Sequence, residues 1–143
     1  MRTSRSTRQL AIGAVAIFSL ACGSDSITAA TSVNGTYSLR TINGAALPVT
    51  LTDSLNGIPF QLTFMSPSSI TLNADHSVRI IATARWVFGS VDEVQADTTT
   101  ATYALSGKQV TFSQPGSTSW TAEWNGSDML TTVDNGVTFT FRK

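Results

Sequence analysis

Few side chains in this 143-residue sequence are suited to acid–base or nucleophilic chemistry. His76 is the only histidine, and it ends the segment Asn73-Ala74-Asp75-His76, whose composition is typical of a β-turn. Serine and threonine are abundant, but none lies in a Gly-x-Ser-x-Gly motif, so a catalytic triad would have to recruit His76. The sequence therefore predicts a turn at this point and a protein that is not an enzyme.

The acidic residues form no pattern typical of a metal site. Asp92 and Glu93 are adjacent, and we expect them at the solvated tip of a loop, with weak calcium binding as the alternative. The other aspartates lack EF-hand spacing, and one histidine with one cysteine excludes a zinc cluster. Glycoside hydrolysis needs two facing carboxylates, and only Glu123 is expected at a strand centre. We expect no metal, no cofactor and no catalytic residue.

The single cysteine, Cys22, lies in a context that points to covalent modification. Residues 1–21 contain three arginines and no acid, and their apolar run from Leu10 to Ala21 is too short to span a bilayer. This is the pattern of a secretory signal peptide. Ser19-Leu20-Ala21-Cys22 resembles the lipobox of bacterial lipoproteins, and the resemblance implies that Cys22 becomes a lipidated first residue, carrying acyl chains such as palmitate that anchor the protein.

The residues after Cys22 bear on the location of the protein. Residues 22–33 are small and polar, as expected of a lipidated cysteine followed by a flexible tether. Gly23, rather than aspartate, follows the cysteine, and within the resembled family this implies an outer-membrane lipoprotein on the periplasmic or surface face. Ser19-x-Ala21 also fits ordinary signal-peptidase cleavage, so a secreted protein is the alternative.

The charge of the chain restricts its partners. Nine basic residues balance nine acidic ones, and without residues 1–21 six basic residues remain against the same nine acids. Such a chain offers no basic face for phosphates, so nucleic acid is not an expected partner. We expect a monomer that contacts the membrane through its N-terminal lipid anchor rather than through its surface.

Residues 34–143 carry the pattern of one domain made of short antiparallel strands. Asn-Gly occurs five times, and this dipeptide favours tight hairpin turns because both residues tolerate positive φ. Between the turns, apolar and polar residues alternate with a period of two, most clearly from Ser77 to Phe88. The sequence predicts eight to nine strands, with Ala101, Tyr103 and Leu105 among the inward residues.

Two architectures place one apolar face of each strand on a shared core. Hairpin turns between nearly all consecutive strands favour an antiparallel up-and-down β-barrel of about eight strands, because closure removes the unpaired edges. The alternative is a β-sandwich of two stacked sheets.

The first strand carries a family resemblance. Gly35-Thr36-Tyr37, followed by Asn43-Gly44-x-x-Leu47-Pro48, resembles the start of the lipocalins and of small bacterial lipocalin-like lipoproteins, over roughly residues 34–143. In that family an aromatic residue closes one end of an eight-stranded barrel beneath a basic residue of the last strand. The resemblance therefore implies that Tyr37 and Arg142 close this barrel.

Large aromatic residues near the strand ends suggest a binding function. Small residues at the strand centres and aromatic residues near the rim are compatible with an apolar pocket, and also with a filled core. One hypothesis is a lipid-anchored cell-envelope barrel that binds a small hydrophobic ligand. The other is a non-catalytic structural or protein-interaction module with a filled core. Under the first hypothesis the pocket is lined by Trp86, Phe88, Trp120 and Trp124.

Overall fold

The computed structural model describes residues 32–143, which contain ten strands and no helix. No helix in this part of the chain is long and apolar enough to cross a membrane. The strands are, in chain order, β1 (Gly35–Ile42), β2 (Ala45–Ala46), β3 (Val49–Leu55), β4 (Ile58–Leu72), β5 (Ser77–Phe88), β6 (Val91–Ser106), β7 (Gln109–Ser113), β8 (Trp120–Trp124), β9 (Met129–Asp134) and β10 (Val137–Arg142).

Four of the five Asn-Gly dipeptides lie between strands, as the sequence predicts, and the fifth, Asn34-Gly35, leads into β1 instead. At three of them, Asn43-Gly44, Asn56-Gly57 and Asn135-Gly136, both residues have positive φ, as a type I′ turn requires. At Asn125 the side chain stabilises the turn instead, because its Oδ1 accepts hydrogen bonds from the backbone nitrogens of Ser127 (2.9 Å) and Met129 (3.0 Å).

The strands close into an antiparallel, up-and-down, eight-stranded barrel, which confirms the predicted fold class and excludes the sandwich. Consecutive strands from β4 to β10 pair as neighbours, and β10 pairs with β1. The barrel closes because β1 also pairs with the second half of β4, from Gly35 opposite Leu72 to Ser38 opposite Ser69. Strands β2 and β3 are additions to this ring, on β1 and on the first half of β4 respectively.

Two stretches differ from the sequence prediction. Strand β3 was not expected, and β4 is one strand of 15 residues interrupted between Met65 and Ser69, where two shorter strands were expected. Strand β6 begins at Val91, so the prediction that Asp92 and Glu93 lie in a loop is wrong. Their two side chains point to opposite faces of the sheet, because neighbouring residues of a strand alternate.

The hydrophobic core fills one end of the barrel. Its largest side chains, each less than 2 % exposed, come from five strands that face one another across the interior: Tyr37, Ile42, Ile70, Leu72, Val78, Val110, Phe112 and Leu130. No buried side-chain nitrogen or oxygen in the described residues lacks a hydrogen-bond partner. This part of the interior is therefore packed with side chains rather than hollow.

The predictions for the N-terminal segment fall mostly outside the described residues. The signal peptide (residues 1–21), the lipidated Cys22 and residues 23–31 of the tether lie there. Val33, the last residue assigned to the tether, is buried against the core at 6 % exposure. The packed domain thus includes at least one residue more than the sequence suggested.

Candidate functional site

The two ends of the barrel differ in how far the strands extend. At the closed end lie the β4–β5, β6–β7 and β8–β9 connections, together with Tyr37 and the core. At the open end, β3, residues 58–65 of β4, residues 82–88 of β5 and residues 91–98 of β6 form a four-stranded extension, here called the open-end sheet. Strand β7 pairs with β6 only from Thr102 to Ser106, so no strand covers the outer edge of residues 91–98.

The register shows which side chains of the open-end sheet face the barrel interior. Residues directly opposite one another in a sheet share a face. The same alternation continues down to Ile70, Leu72 and Val78, which are core residues. Three rows of four residues therefore face inward: Val49–Phe64–Ala84–Gln95, Leu51–Leu62–Trp86–Glu93 and Asp53–Phe60–Phe88–Val91.

This inward face is apolar but only partly covered. Trp86 stacks on Phe60 with ring centroids 6.0 Å apart, yet its side chain remains 41 % exposed. Leu55, Ile58 and Val91 at the far end of the hairpins are exposed by 58 %, 48 % and 50 %. Large apolar side chains that remain exposed side by side are typical of a binding surface rather than of a packed core.

Trp120 lies on the opposite wall of the open end. Its ring stacks on buried Phe112 with centroids 3.8 Å apart. Beside it is a half-open groove of about 510 Å³ that Phe139 and Asp134 also line. Phe139 in turn packs edge-on against Phe64 of the open-end sheet, with centroids 5.6 Å apart, so the two walls meet at this level.

The four aromatic residues proposed from the sequence to line one pocket are therefore separated by the fold. Trp86 and Phe88 share the open-end sheet, and Trp120 faces the open end from the other wall. Trp124 is 8 % exposed within the core at the closed end, and its Nε1 donates to the Ser127 carbonyl (3.2 Å). Trp124 is thus a core residue and has no part in an open-end pocket.

Tyr37 fills the closed end, as the resemblance implied. It is fully buried, and its hydroxyl donates to the Val33 carbonyl over 2.6 Å. Burial raises the pKa of Tyr37 to about 12, because the phenolate would lose its hydration inside the barrel. Tyr103 lies nearby with its hydroxyl 2.5 Å from Asn34 Oδ1, and burial raises its pKa as well.

The basic residue above Tyr37 is Lys143, not the expected Arg142. The Lys143 ammonium lies 5.0 Å from the Tyr37 ring centroid and donates to the Ser32 carbonyl over 2.7 Å. Arg142 points outward and pairs with Asp128 over 3.2 Å on the surface. The alternation of the strand explains the difference, because Phe141 faces the core and its successor must face out.

The residues considered for acid–base chemistry serve the turns and the surface. Asp75 accepts hydrogen bonds from the backbone nitrogen (2.9 Å) and hydroxyl (2.6 Å) of Ser77, which lower its pKa. The His76 ring packs against Tyr103 with centroids 5.2 Å apart. Asp92 forms an ion pair with Arg85 on the outer face, where the hydrogen bond lowers the pKa of its carboxyl. Residues 32–143 contain no cluster of three potential metal ligands.

Comparison with known proteins does not identify a relative. No protein-family model, no curated protein and no solved structure matches the chain. The geometry of the open end is therefore the basis for a functional proposal.

Sequence reasoning missed part of the apolar surface at the open end. Leu51 and Leu55 belong to the unpredicted β3, and Ile58 begins the strand that returns from it. The signal was present: Val49, Leu51 and Leu55 alternate with polar residues before Asn56-Gly57, and Ile58, Phe60 and Leu62 alternate after it, which is the pattern of a hairpin.

Proposed function

We propose that this protein is a lipid-anchored barrel of the cell envelope that binds a small hydrophobic ligand on the open-end sheet. The observation that carries the proposal is the aromatic pair Phe60–Trp86, which lies in the middle of a mainly apolar inward face and leaves Trp86 41 % exposed. A filled closed end provides a rigid base, and the open end leaves apolar area that a ligand can remove from water.

The anchor and the binding surface are compatible with each other. Val33 and Ser32 lie at the closed end, beside Tyr37 and Lys143. The described part of the chain therefore starts at the closed end, away from the open-end sheet. The lipocalin-like relationship, export, and the outer membrane as destination belong to the same proposal and are supported by the sequence motifs described above. We propose no catalytic activity, because no described carboxylate, hydroxyl and imidazole converge at the open end.

Ligand binding is tested with a neutral, solvent-sensitive dye such as Nile red added to the full chain carrying Cys22→Ser, so that no attached lipid competes. We expect a saturable rise in dye emission and a saturable change in tryptophan fluorescence. Trp86→Ala should weaken dye binding about tenfold, because it removes the central ring of the surface. An emission change that never saturates, or one that Trp86→Ala leaves intact, would contradict the proposal.

A matched pair on one strand separates the inward face from general surface hydrophobicity. Val91 faces inward opposite Phe88, whereas Val94 faces outward opposite Arg85, and the two are similarly exposed at 50 % and 60 %. Val91→Thr should weaken dye binding, and Val94→Thr should not. Equal effects of the two variants would place the dye outside the open-end sheet.

The anchor is tested by metabolic labelling of expressing bacteria with a palmitate analogue. We expect the label on the wild-type chain and none on Cys22→Ser, which should be released from the membrane fraction. Release of both proteins to the same extent would instead support a secreted protein.

A second candidate function is a protein-interaction module, and the uncovered edge of β6 favours it. Backbone groups along residues 91–98 on this edge pair with no strand of the described chain, so an extended peptide could add there. Failure of the dye to bind, combined with capture of a peptide whose amides become protected along with this edge, would favour this function.

A further inference from the structure

We propose that the ligand of the open-end sheet is a cationic amphiphile, a small molecule with an apolar body and an ammonium group. This inference rests on the proposed binding function and specifies its ligand class. It comes from the charges at the margin of the apolar face rather than from the apolar face itself.

On the inward face of the open-end sheet, the side chains of the central strands are apolar, and each edge strand carries an acidic side chain among its other residues. The central strands β4 and β5 supply Phe60, Leu62 and Trp86, whereas the edge strands supply Asp53 on β3 and Glu93 on β6. Asp53 lies directly opposite Phe60 in the register, and Glu93 lies directly opposite Trp86. Each carboxylate thus adjoins one ring of the stacked pair.

Further carboxylates continue this arrangement around the open end. Asp97 of β6 follows Glu93 and Gln95 on the same face, opposite Ala82. On the far wall, Asp134 is paired with Val137, an inward residue packed on the core, and it lines the groove beside Trp120. The acids therefore surround the apolar surface from three strands rather than forming one local cluster.

No basic residue of the described chain shares this face. Arg79 and Arg85 alternate with inward residues of β5 and point outward, and Arg85 is occupied by Asp92. Arg142 and Lys143 lie at the closed end, and Lys108 follows the β6–β7 turn there. Arg40 lies at the irregular step of β1, between inward Leu39 and Ile42, and is exposed on the outside.

An ammonium group is attracted both by the acidic side chains and by the aromatic ring on this surface, whereas a carboxylate is attracted by neither. A cation beside Glu93 is attracted by its carboxylate and by the adjoining face of Trp86. Its alkyl or aryl body can cover Leu62 and Phe60. A fatty acid would bring a negative charge into a margin of four carboxylates without a described cation to neutralise it. Charge complementarity therefore selects the positively charged member among amphiphiles of equal length.

The test compares three decyl compounds that differ only in the head group: decyltrimethylammonium, decanol and decanoate. Each is added below its aggregation concentration to the full chain carrying Cys22→Ser, and tryptophan fluorescence is measured. We expect decyltrimethylammonium to bind roughly tenfold more tightly than decanol, and decanoate to bind most weakly. Raising the salt concentration should reduce the preference for the cation, because these carboxylates are exposed.

The variant Asp53→Asn/Glu93→Gln should lose most of the preference for the cation and keep its affinity for decanol. Glu123→Gln is the matched control, since Glu123 is an exposed strand glutamate on the outer face, opposite Thr131. Saturable binding of all three compounds without preference for the cation, or a preference that survives the double variant, would overturn the cationic ligand and leave the binding function intact. Absence of saturable binding by any of them and by Nile red would refute both.

Discussion

The packed core and the open-end sheet of this barrel are built from the same alternating pattern, but they differ in how far their inward side chains are buried. Phe112 stacks on Trp120 where strands face one another across the interior, and it is fully buried, whereas on the open-end sheet Phe60 stacks on Trp86, which is 41 % exposed. Both pairs lie on the inward face of their strands. The difference is the presence of an opposing wall, which shows that facing inward and being buried are separate properties in a barrel whose strands differ in length.

This difference predicts that the two ends contribute to different properties of the protein, namely stability and binding. Apolar area that is already removed from water stabilises the fold, and apolar area that is still exposed is available to a ligand. The closed end should therefore dominate the free energy of unfolding, and the open end should tolerate substitution with little loss of stability. Substitutions and pH changes at the two ends test that contrast.

The most direct comparison is between Phe112, which stacks on Trp120, and Phe60, which stacks on Trp86. Phe112→Ala should lower the free energy of unfolding by about 4 kcal/mol, because it leaves a cavity among residues that cannot collapse into it. Phe60→Ala should lower it by only about 1 kcal/mol, since the ring is already partly in contact with water. Urea unfolding followed by circular dichroism measures both. Similar losses for the two variants would show that the open end is as much a part of the core as the closed end.

High pH should destabilise the closed end through Tyr37. Its pKa is raised from 10.0 to about 12 in the folded protein, so above pH 10 the unfolded chain releases a proton that the folded chain retains. The contribution is fully present below pH 10 and is lost as the pH rises from 10 to 12, by about 2 kcal/mol.

Unfolding measured across this pH range checks the prediction, with Tyr37→Phe as the control. The variant should be less stable than the wild type at neutral pH, since it loses the hydrogen bond to Val33, but it should show a shallower decline in alkali. Some decline should remain, because the pKa of Tyr103 is also raised. An unchanged slope in Tyr37→Phe would show that the buried phenol is not responsible.

Two glycines, one at each end of the barrel, allow a comparison in which the expected difference in stability is small. Gly35 has φ of +133°, and an added Cβ would lie 3.0 Å from Cε of Lys143, the residue above Tyr37. Gly57 in the β3–β4 turn also has positive φ, of +78°, but an added Cβ would meet nothing within 4 Å. Both alanine variants should lose about 1 kcal/mol through backbone strain.

Gly35→Ala should lose additional stability, because the Lys143 side chain must move away from the tyrosine ring. The contribution of that movement can be isolated by combining Gly35→Ala with Lys143→Ala, where the two effects should not add. Full additivity would mean that the methyl group and Lys143 do not meet.

Local signals in the sequence were sufficient for the fold class and for several details of the closed end. Alternation from Ser77 to Phe88 and the Asn-Gly turns at 43–44, 56–57 and 135–136 act between neighbouring residues, so they could be identified without a structure. Tyr37 was found because an aromatic residue at the start of the first strand is part of a recognisable motif. Its cation was misassigned because the choice between Arg142 and Lys143 depends on how the chain leaves the last strand.

The candidate site was less predictable than the fold. Trp86, Trp120 and Trp124 are alike in the sequence, since each alternates with polar residues on an inward face. In the folded protein they lie at different positions along the barrel axis. Leu105, which was also predicted to face inward, lies beyond the closed end and remains 40 % exposed. The position of a side chain along the barrel axis depends on the register between strands that are distant in the sequence, and no local pattern encodes that register.

The side of each strand that faces the interior can be read from the sequence, because that property depends only on alternation within a few residues. The positions of most hairpin turns can be read in the same way. Which inward residues are covered depends on the folded barrel, because a side chain is buried by strands that come from elsewhere in the chain. The extension of β3 to β6 beyond β7 leaves the part of this apolar face beyond Phe64 without an opposing wall, and the acids on its edge strands become its margin only once the strands are paired.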